Sequence, residues 1–172
     1  MGHLEDAQEK LAANLRSVRQ RMEQAAQRAG RSPSSVHLLA VTKSVGPDIA
    51  AMLCAAGAAD LGENRVQDVV RKHHALGSRA RWHLIGNLQK NKARKAMQIC
   101  EAIHSVDSLG LLDELGRIAS QLSRRVKLFV EVNVSDESTK HGVKPGELSS
   151  LLLRAKAFPH VSIVGLMTMP IK

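Results

Sequence analysis

Short apolar runs alternate with amphipathic stretches along almost the whole chain, and that alternation sets the class of fold. The apolar runs fall at 38–43, 58–62, 81–86, 102–106, 126–134 and 161–167. Between them, apolar residues recur at steps of three and four, as in Ile49, Met52, Leu53 and Ala56, and again in Val66, Val69, Val70 and Leu76. Three further helices are expected: a strongly basic one at 88–99, one running from the Asp107-Ser108 cap to about Leu122, and one at 145–157. Leu4, Leu11, Leu15, Val18, Met22 and Ala29 predict a long helix ahead of the first strand, closed by Gly30 and by Ser32-Pro33. Strand and helix in regular alternation imply right-handed crossovers and a parallel sheet. The spacing suits a barrel or a doubly wound sheet. No Gly-x-Gly-x-x-Gly follows any strand, which argues against a dinucleotide site.

The first apolar run, Leu38-Leu39-Ala40-Val41-Thr42, ends in Lys43 and is broken at once by Ser44, Gly46 and Pro47. The amine therefore stands at the carboxyl end of a strand, the end at which parallel α/β folds carry their binding loops. A neutral lysine amine can attack an aldehyde to form an imine, so Lys43 is a candidate Schiff-base residue. The other strands end in Glu63 and Asn64, in His83 and Gly86, in Asp107 and Ser108, in Asn133 with Ser135, and in Met167 and Thr168. Several of these have plain structural readings: Asn64 and Ser108 are placed to cap helices, His83 to be a satisfied core histidine and Met167 to fill the core. Their gathering on one rim is what makes them a candidate site.

Charge narrows the choice of partner. A formal net charge of +9 asks for a polyanion or a phosphate-bearing small molecule. With Trp82, Phe129 and Phe158 as the only aromatic residues, no stacking platform for nucleic acid is expected. No apolar run is long enough to span a bilayer and the amino terminus lacks a signal-peptide core, so a cytoplasmic protein with no membrane partner is expected. Cys54 and Cys100 lack metal-ligand spacing and read as idle thiols. With 172 residues, the whole chain is expected to form one domain.

Five segments carry a resemblance. Ala40-Val41-Thr42-Lys43, Gly62-Glu63-Asn64-Arg65-Val66-Gln67-Asp68, the run from Trp82-His83 through Gly86-Asn87 to Lys92, the run from Val132-Asn133 through Ser138-Thr139 to Gly142, and Gly165-Leu166-Met167-Thr168-Met169-Pro170 resemble the successive signatures of the pyridoxal-phosphate homeostasis protein family. Members of that family are similar to the amino-terminal domain of alanine racemase. The resemblance implies an α/β fold of the TIM-barrel type, pyridoxal 5'-phosphate as the ligand, and Lys43 as its Schiff-base residue. It further implies Val41 beside the lysine, Asn64 near the ring or its substituents, His83 on the third strand and Met167 on the sixth. The implied role is to buffer and deliver the cofactor to apo-enzymes, with no catalytic residue and no metal.

Two departures from the family pattern bear on that reading. Arg65 stands where most relatives carry an aromatic residue. The chain also offers about six of the eight or so strands of such a barrel, so the domain 1–172 is expected to be an incomplete barrel lacking its last two strands. The family's Ser/Gly-rich and Arg-x-Gly-Thr-like segments, which hold the phosphate and the ring nitrogen, would lie in that part. Lys90 and Lys92 are the local basic residues that could compensate. Unpaired first and sixth strands would also favour an oligomer or aggregate. Two alternatives stand beside this reading. A racemase-like enzyme fragment is opposed by the complete lack of tyrosine, the acid-base residue of alanine racemase, and a basic nucleic-acid module is favoured by the charge alone.

Overall fold

The computed structural model describes residues 2–135 and 141–169. Residues 136–140 and Pro170, which fall within two of the five segments, lie outside the described residues. The element order is α1 (Gly2–Arg28), β1 (Ala40–Val41), α2 (Pro47–Ala55), β2 (Asp60–Glu63), α3 (Val66–Leu76), β3 (Arg81–Leu84), α4 (Lys90–Ile99), β4 (Ala102–Val106), α5 (Leu109–Leu122), β5 (Val126–Glu131), α6 (Leu148–Ala155) and β6 (Val161–Met167). All neighbouring strands pair in parallel, in the order β1-β2-β3-β4-β5-β6. Among the described residues β1 and β6 each have one strand partner, so the sheet remains open between them.

The crossover helices cover one face of the sheet. Leu61, Trp82, Leu84, Ile103, Leu128 and Val130 pack there against Val69 of α3, Ala93, Ala96 and Met97 of α4, and Leu112, Leu115 and Ile118 of α5. These side chains are almost wholly out of water, and each of the larger aliphatic ones contributes about 1.5–3 kcal/mol. Because strand side chains alternate, the residues between them, Asp60, Gly62, Arg81, His83, Lys127 and Phe129, form the opposite face. In a closed barrel that face would be the interior. Here it lies open.

Local chemistry explains where sequence and structure agree. Ser108 caps α5, its hydroxyl accepting from Leu111 N–H at 3.3 Å. α5, β4 and β6 begin and end close to where their patterns predict. Other elements differ. The first strand shrinks from 38–43 to Ala40–Val41, because only these residues are in register with Leu61 and Gly62 and the strand has a neighbour on one side alone. Val41 is 52% exposed, so this strand is not the buried one its sequence suggests. β2 lies at Asp60–Glu63, later than 58–62, since Ala58 N–H is still tied to Leu53 O at the end of α2. Residues 145–147 wind as a tighter 3-10 turn before α6, and β5 stops at Glu131. Asn64 does not cap α3: Arg65 takes the N-cap position, and no side chain caps that end.

Candidate functional site

Lys43 sits on a hydrogen-bonded turn. Thr42 N–H donates to Gly62 O at 3.0 Å, the last bond of the β1–β2 ladder, and Val45 N–H returns to Thr42 O at 3.1 Å, making Lys43 and Ser44 the central residues. The Thr42 side chain is buried on the helix-covered side, where its hydroxyl donates to Glu63 Oε1 at 2.5 Å. Lys43 beyond it is exposed. Among the described residues, its amine has no hydrogen-bond or ion-pair partner. On the neighbouring strand Asn64, also exposed, stands one residue beyond Glu63, and its side chain has no partner among the described residues. The parallel register of the two strands thus sets Lys43 and Asn64 just past neighbouring strand ends.

Glu63, which sequence places on the same rim, is a correction. Its carboxylate is fully buried against α3 and paired with Lys72 Nζ at 2.5 Å, so it does not face the rim.

The next strand end is held by backbone contact. Ile85 N–H donates to Glu63 O at 2.9 Å, and Gly86 lies so close to Asn64 that a Cβ there would meet the Asn64 carbonyl oxygen at 2.4 Å. The Ser105 hydroxyl, buried at the end of β4, donates to Gly86 O at 2.7 Å. Farther round, Asn87 Nδ2 donates to Asp107 Oδ2 at 3.1 Å, with His141 Nδ1 3.7 Å from the same carboxylate oxygen. Asn133 Oδ1 accepts from the backbone N–H and the hydroxyl of Ser135, at 3.1 and 2.9 Å. Burial, and secondarily the Asp107 charge, push the Glu131 carboxyl above the usual carboxylate range.

Below this rim, the open face carries a polar chain across three strands. Arg81 grips Asp60 with two hydrogen bonds, at 2.7 and 2.6 Å, which is the main reason that carboxyl is held below its ordinary range. Asp60 Oδ1 then lies 3.1 Å from His83 Nε2, and His83 Nδ1 lies 2.9 Å from His104 Nε2. An ionised Asp60 can only accept, so His83 donates from Nε2, and one of the two facing nitrogens, His83 Nδ1 or His104 Nε2, donates to the other. His104 stacks on Phe129 with ring centroids 4.3 Å apart, and burial, helped by His83, pulls its pKa down to about 4. These groups line a cavity of about 500 Å³ together with Leu38, Leu39 and Lys127.

Val41 thus lies on β1, Lys43 two residues beyond it, and Asn64 one residue beyond the end of the neighbouring β2. His83 lies on the same face as Val41, separated from it by Gly62, whose missing side chain leaves room for Ile85 and Leu39. Its ring, however, is engaged by Asp60 and His104. Met167 is half-buried at the end of β6, paired with Glu131 at the far edge of the sheet from Lys43. Asp60, Arg81, His104 and Glu131 escape the sequence reading. Their signal is a charged or imidazole side chain at every second position of apolar strands.

The residues 9–172 match the family described as alanine racemase, N-terminal domain. The pyridoxal phosphate homeostasis protein of Aquifex aeolicus is 38% identical over 157 residues, which are 91% of this chain and 69% of that protein. PipY of Synechococcus elongatus, solved with pyridoxal phosphate bound, superposes with a TM-score of 0.75 at 38% identity, over 87% of this chain and 70% of its own. Alanine racemase of Clostridium difficile shares the fold at 15% identity, with a TM-score of 0.69 over 80% of this chain and 36% of the racemase. With a family match across nearly its whole length and relatives covered over more than two thirds of theirs, the chain belongs to the pyridoxal phosphate homeostasis proteins, on the alanine-racemase N-terminal fold.

Proposed function

We propose that this chain binds pyridoxal 5'-phosphate through Lys43 and holds it for delivery to apo-enzymes, without turning over a substrate of its own. The observation that supports this best is the exposed Lys43 amine, without a partner among the described residues and standing at the end of the strand next to that of Asn64, in a chain 38% identical to a protein solved with that ligand. Lys43 would hold the ligand, whose aldehyde would supply a carbonyl that condenses reversibly with the lysine amine, with loss of water. Every other role falls to the protein. Asn64 offers a donor and an acceptor to polar substituents of the ring, Val41 an apolar wall beside the lysine, and Met167 apolar cover from the sixth strand. His83 acts from one layer below, its ring held by Asp60 and His104. Among the described residues no helix is long and apolar enough to cross a membrane.

The reading is tested by mixing the protein with pyridoxal phosphate, reducing with borohydride and mapping the modified peptide. The expected result is an imine absorption band and a single adduct on Lys43, both lost in Lys43→Ala. Labelling spread evenly over surface lysines overturns it. Exchange of an amino acid's α-hydrogen in deuterated water would instead show racemase chemistry.

A further inference from the structure

The most deeply buried charges in the described structure lie directly beneath Lys43. The side chains of Glu63 and Lys72 have no solvent exposure, and Thr42 is almost as buried. Lys72 reaches up from α3 to donate to Glu63 Oε1 at 2.5 Å and to the Thr42 carbonyl oxygen at 2.6 Å, while the Thr42 hydroxyl donates to the same Glu63 oxygen at 2.5 Å. The Thr42 carbonyl is also the acceptor that closes the turn, taking the Val45 N–H. One buried ammonium therefore grips the carbonyl that begins the Lys43 turn, and one buried carboxylate grips the side chain of the same residue.

Such an arrangement is costly as a source of stability alone. Each buried ion loses several kcal/mol of hydration, and well-packed apolar residues of similar volume usually hold a core as well or better. What the charges supply is direction. β1 contributes only Ala40 and Val41 to the ladder and has a partner on one side, so its end would otherwise be free to swing. We propose that Thr42, Glu63 and Lys72 are positioning residues that fix the turn carrying Lys43, so that its amine meets the aldehyde of pyridoxal phosphate in one geometry. This rests on the cofactor reading given above, and it assigns to Glu63 and Lys72 a role toward the ligand that neither plays by touching it.

The test uses Thr42→Val, which keeps shape and removes the hydroxyl, Thr42→Ser, which restores it, and the double variant Glu63→Gln/Lys72→Met, which removes both charges without leaving one unpaired. Two quantities are read on the whole chain below the melting point of each variant: amide exchange at Val45, and the pyridoxal phosphate concentration that half-saturates borohydride-trapped adduct on Lys43. Thr42→Val and the double variant should speed Val45 exchange and raise the half-saturating concentration about tenfold or more, the scale of one hydrogen bond to a charged group. Thr42→Ser should stay near wild type. If Thr42→Val and the double variant fold and trap the ligand on Lys43 as wild type does, the proposal is overturned, because a merely structural cluster predicts that result. Should one variant not fold, the other decides. The two readings fail differently: wild type without a Lys43 adduct overturns the cofactor assignment, whereas a normal wild-type adduct with unchanged Val45 exchange in the variants overturns the clamp.

Discussion

Gly86 and Asn64 touch backbone to backbone across the ends of β3 and β2, so closely that a Cβ on residue 86 would stand 2.4 Å from the Asn64 carbonyl oxygen and 2.8 Å from its Cα. The contact is held from the other side by the Ser105 hydroxyl on Gly86 O. Since Asn64 immediately follows the strand beside Lys43, any side chain at 86 moves the candidate site. Gly86→Ala is expected to destabilise the fold by about 1–3 kcal/mol, as overpacking does, and to weaken pyridoxal phosphate binding. Ser105→Ala should cost about 1 kcal/mol, a single hydrogen bond, with a smaller effect on binding. Urea titration with and without the ligand reads both. Binding by Gly86→Ala equal to wild type would show that the Asn64 position is unimportant to it.

The pair His83 and His104 makes acid stability a readout of the open face. His104 has an ordinary pKa near 6.5 and a folded one of about 4, so between these values the unfolded chain takes up a proton that the folded chain refuses. Its contribution is whole above pH 6.5, declines as pH falls toward about 4, and loses nothing further below that. The charged and titratable groups that line the cavity with it are His83 and Arg81 from β3, Asp60 from β2, Lys127 from β5, and His37 and Glu101 from the segments ahead of β1 and β4. Asp60 acts in a separate window, its stabilising ionisation being lost only as pH falls below 3.8. Denaturation midpoints measured from pH 7 to pH 4 should therefore fall in wild type and fall less in His104→Gln. Parallel curves would mean that His104 is not buried neutral.

How much of this was legible in the sequence depends on whether local pattern or tertiary contact decides each element. α5 was closely legible, because Ser108 caps it and Leu111, Leu112 and Leu115 give its apolar face. β1 was not, because ladder length depends on register with β2, which no local pattern encodes. Val41, Lys43 and Asn64 lie on or just past the paired strands β1 and β2, and their contact with the ligand is a proposal. Glu63 was misjudged, since a polar residue at a strand end reads as rim whether it faces ligand or helix. The clue lay in Lys72, three residues after Val69 and four before Leu76, which puts a charge on the apolar face of α3 and demands a buried partner.

Gly116 of α5 offers a test in which two effects oppose each other. In a helix interior, glycine to alanine alone should stabilise by about 1 kcal/mol. Here a Cβ would meet the Phe158 ring at 2.3 Å, a ring already fixed under Arg154 at 5.1 Å. Steric cost should win: Gly116→Ala is expected to be less stable than wild type by about 1–2 kcal/mol, overpacking less the helix gain. Adding Phe158→Leu, which removes ring atoms from the clash, should recover part of the loss. Thermal melts of the three proteins decide, and a stabilised single variant would show that Phe158 moves aside freely.

The open edges of the sheet lead to the last prediction. β6 pairs with β5 on one side alone among the described residues, and carries the sequence Val-Ser-Ile-Val-Gly-Leu-Met without a charge to guard it. Leu166 is 55% exposed on this strand and Val41 52% on β1, so both edges offer backbone groups and apolar surface together. Against association stands the formal net charge of +9, whose repulsion is long-ranged only at low salt, the screening length being about 10 Å at 0.1 M. The two terms respond oppositely to ionic strength. The chain is therefore expected to associate more as salt rises from about 0.01 to about 0.5 M, where repulsion is screened and the edges remain apolar. Leu166→Lys places a charge on the β6 edge while removing little buried contact, and should reduce association at every salt concentration without lowering the melting temperature by more than a degree or so. Light scattering after size-exclusion chromatography measures both proteins. A wild-type chain that runs as a monomer across the whole range would mean that β1 and β6 are covered in solution.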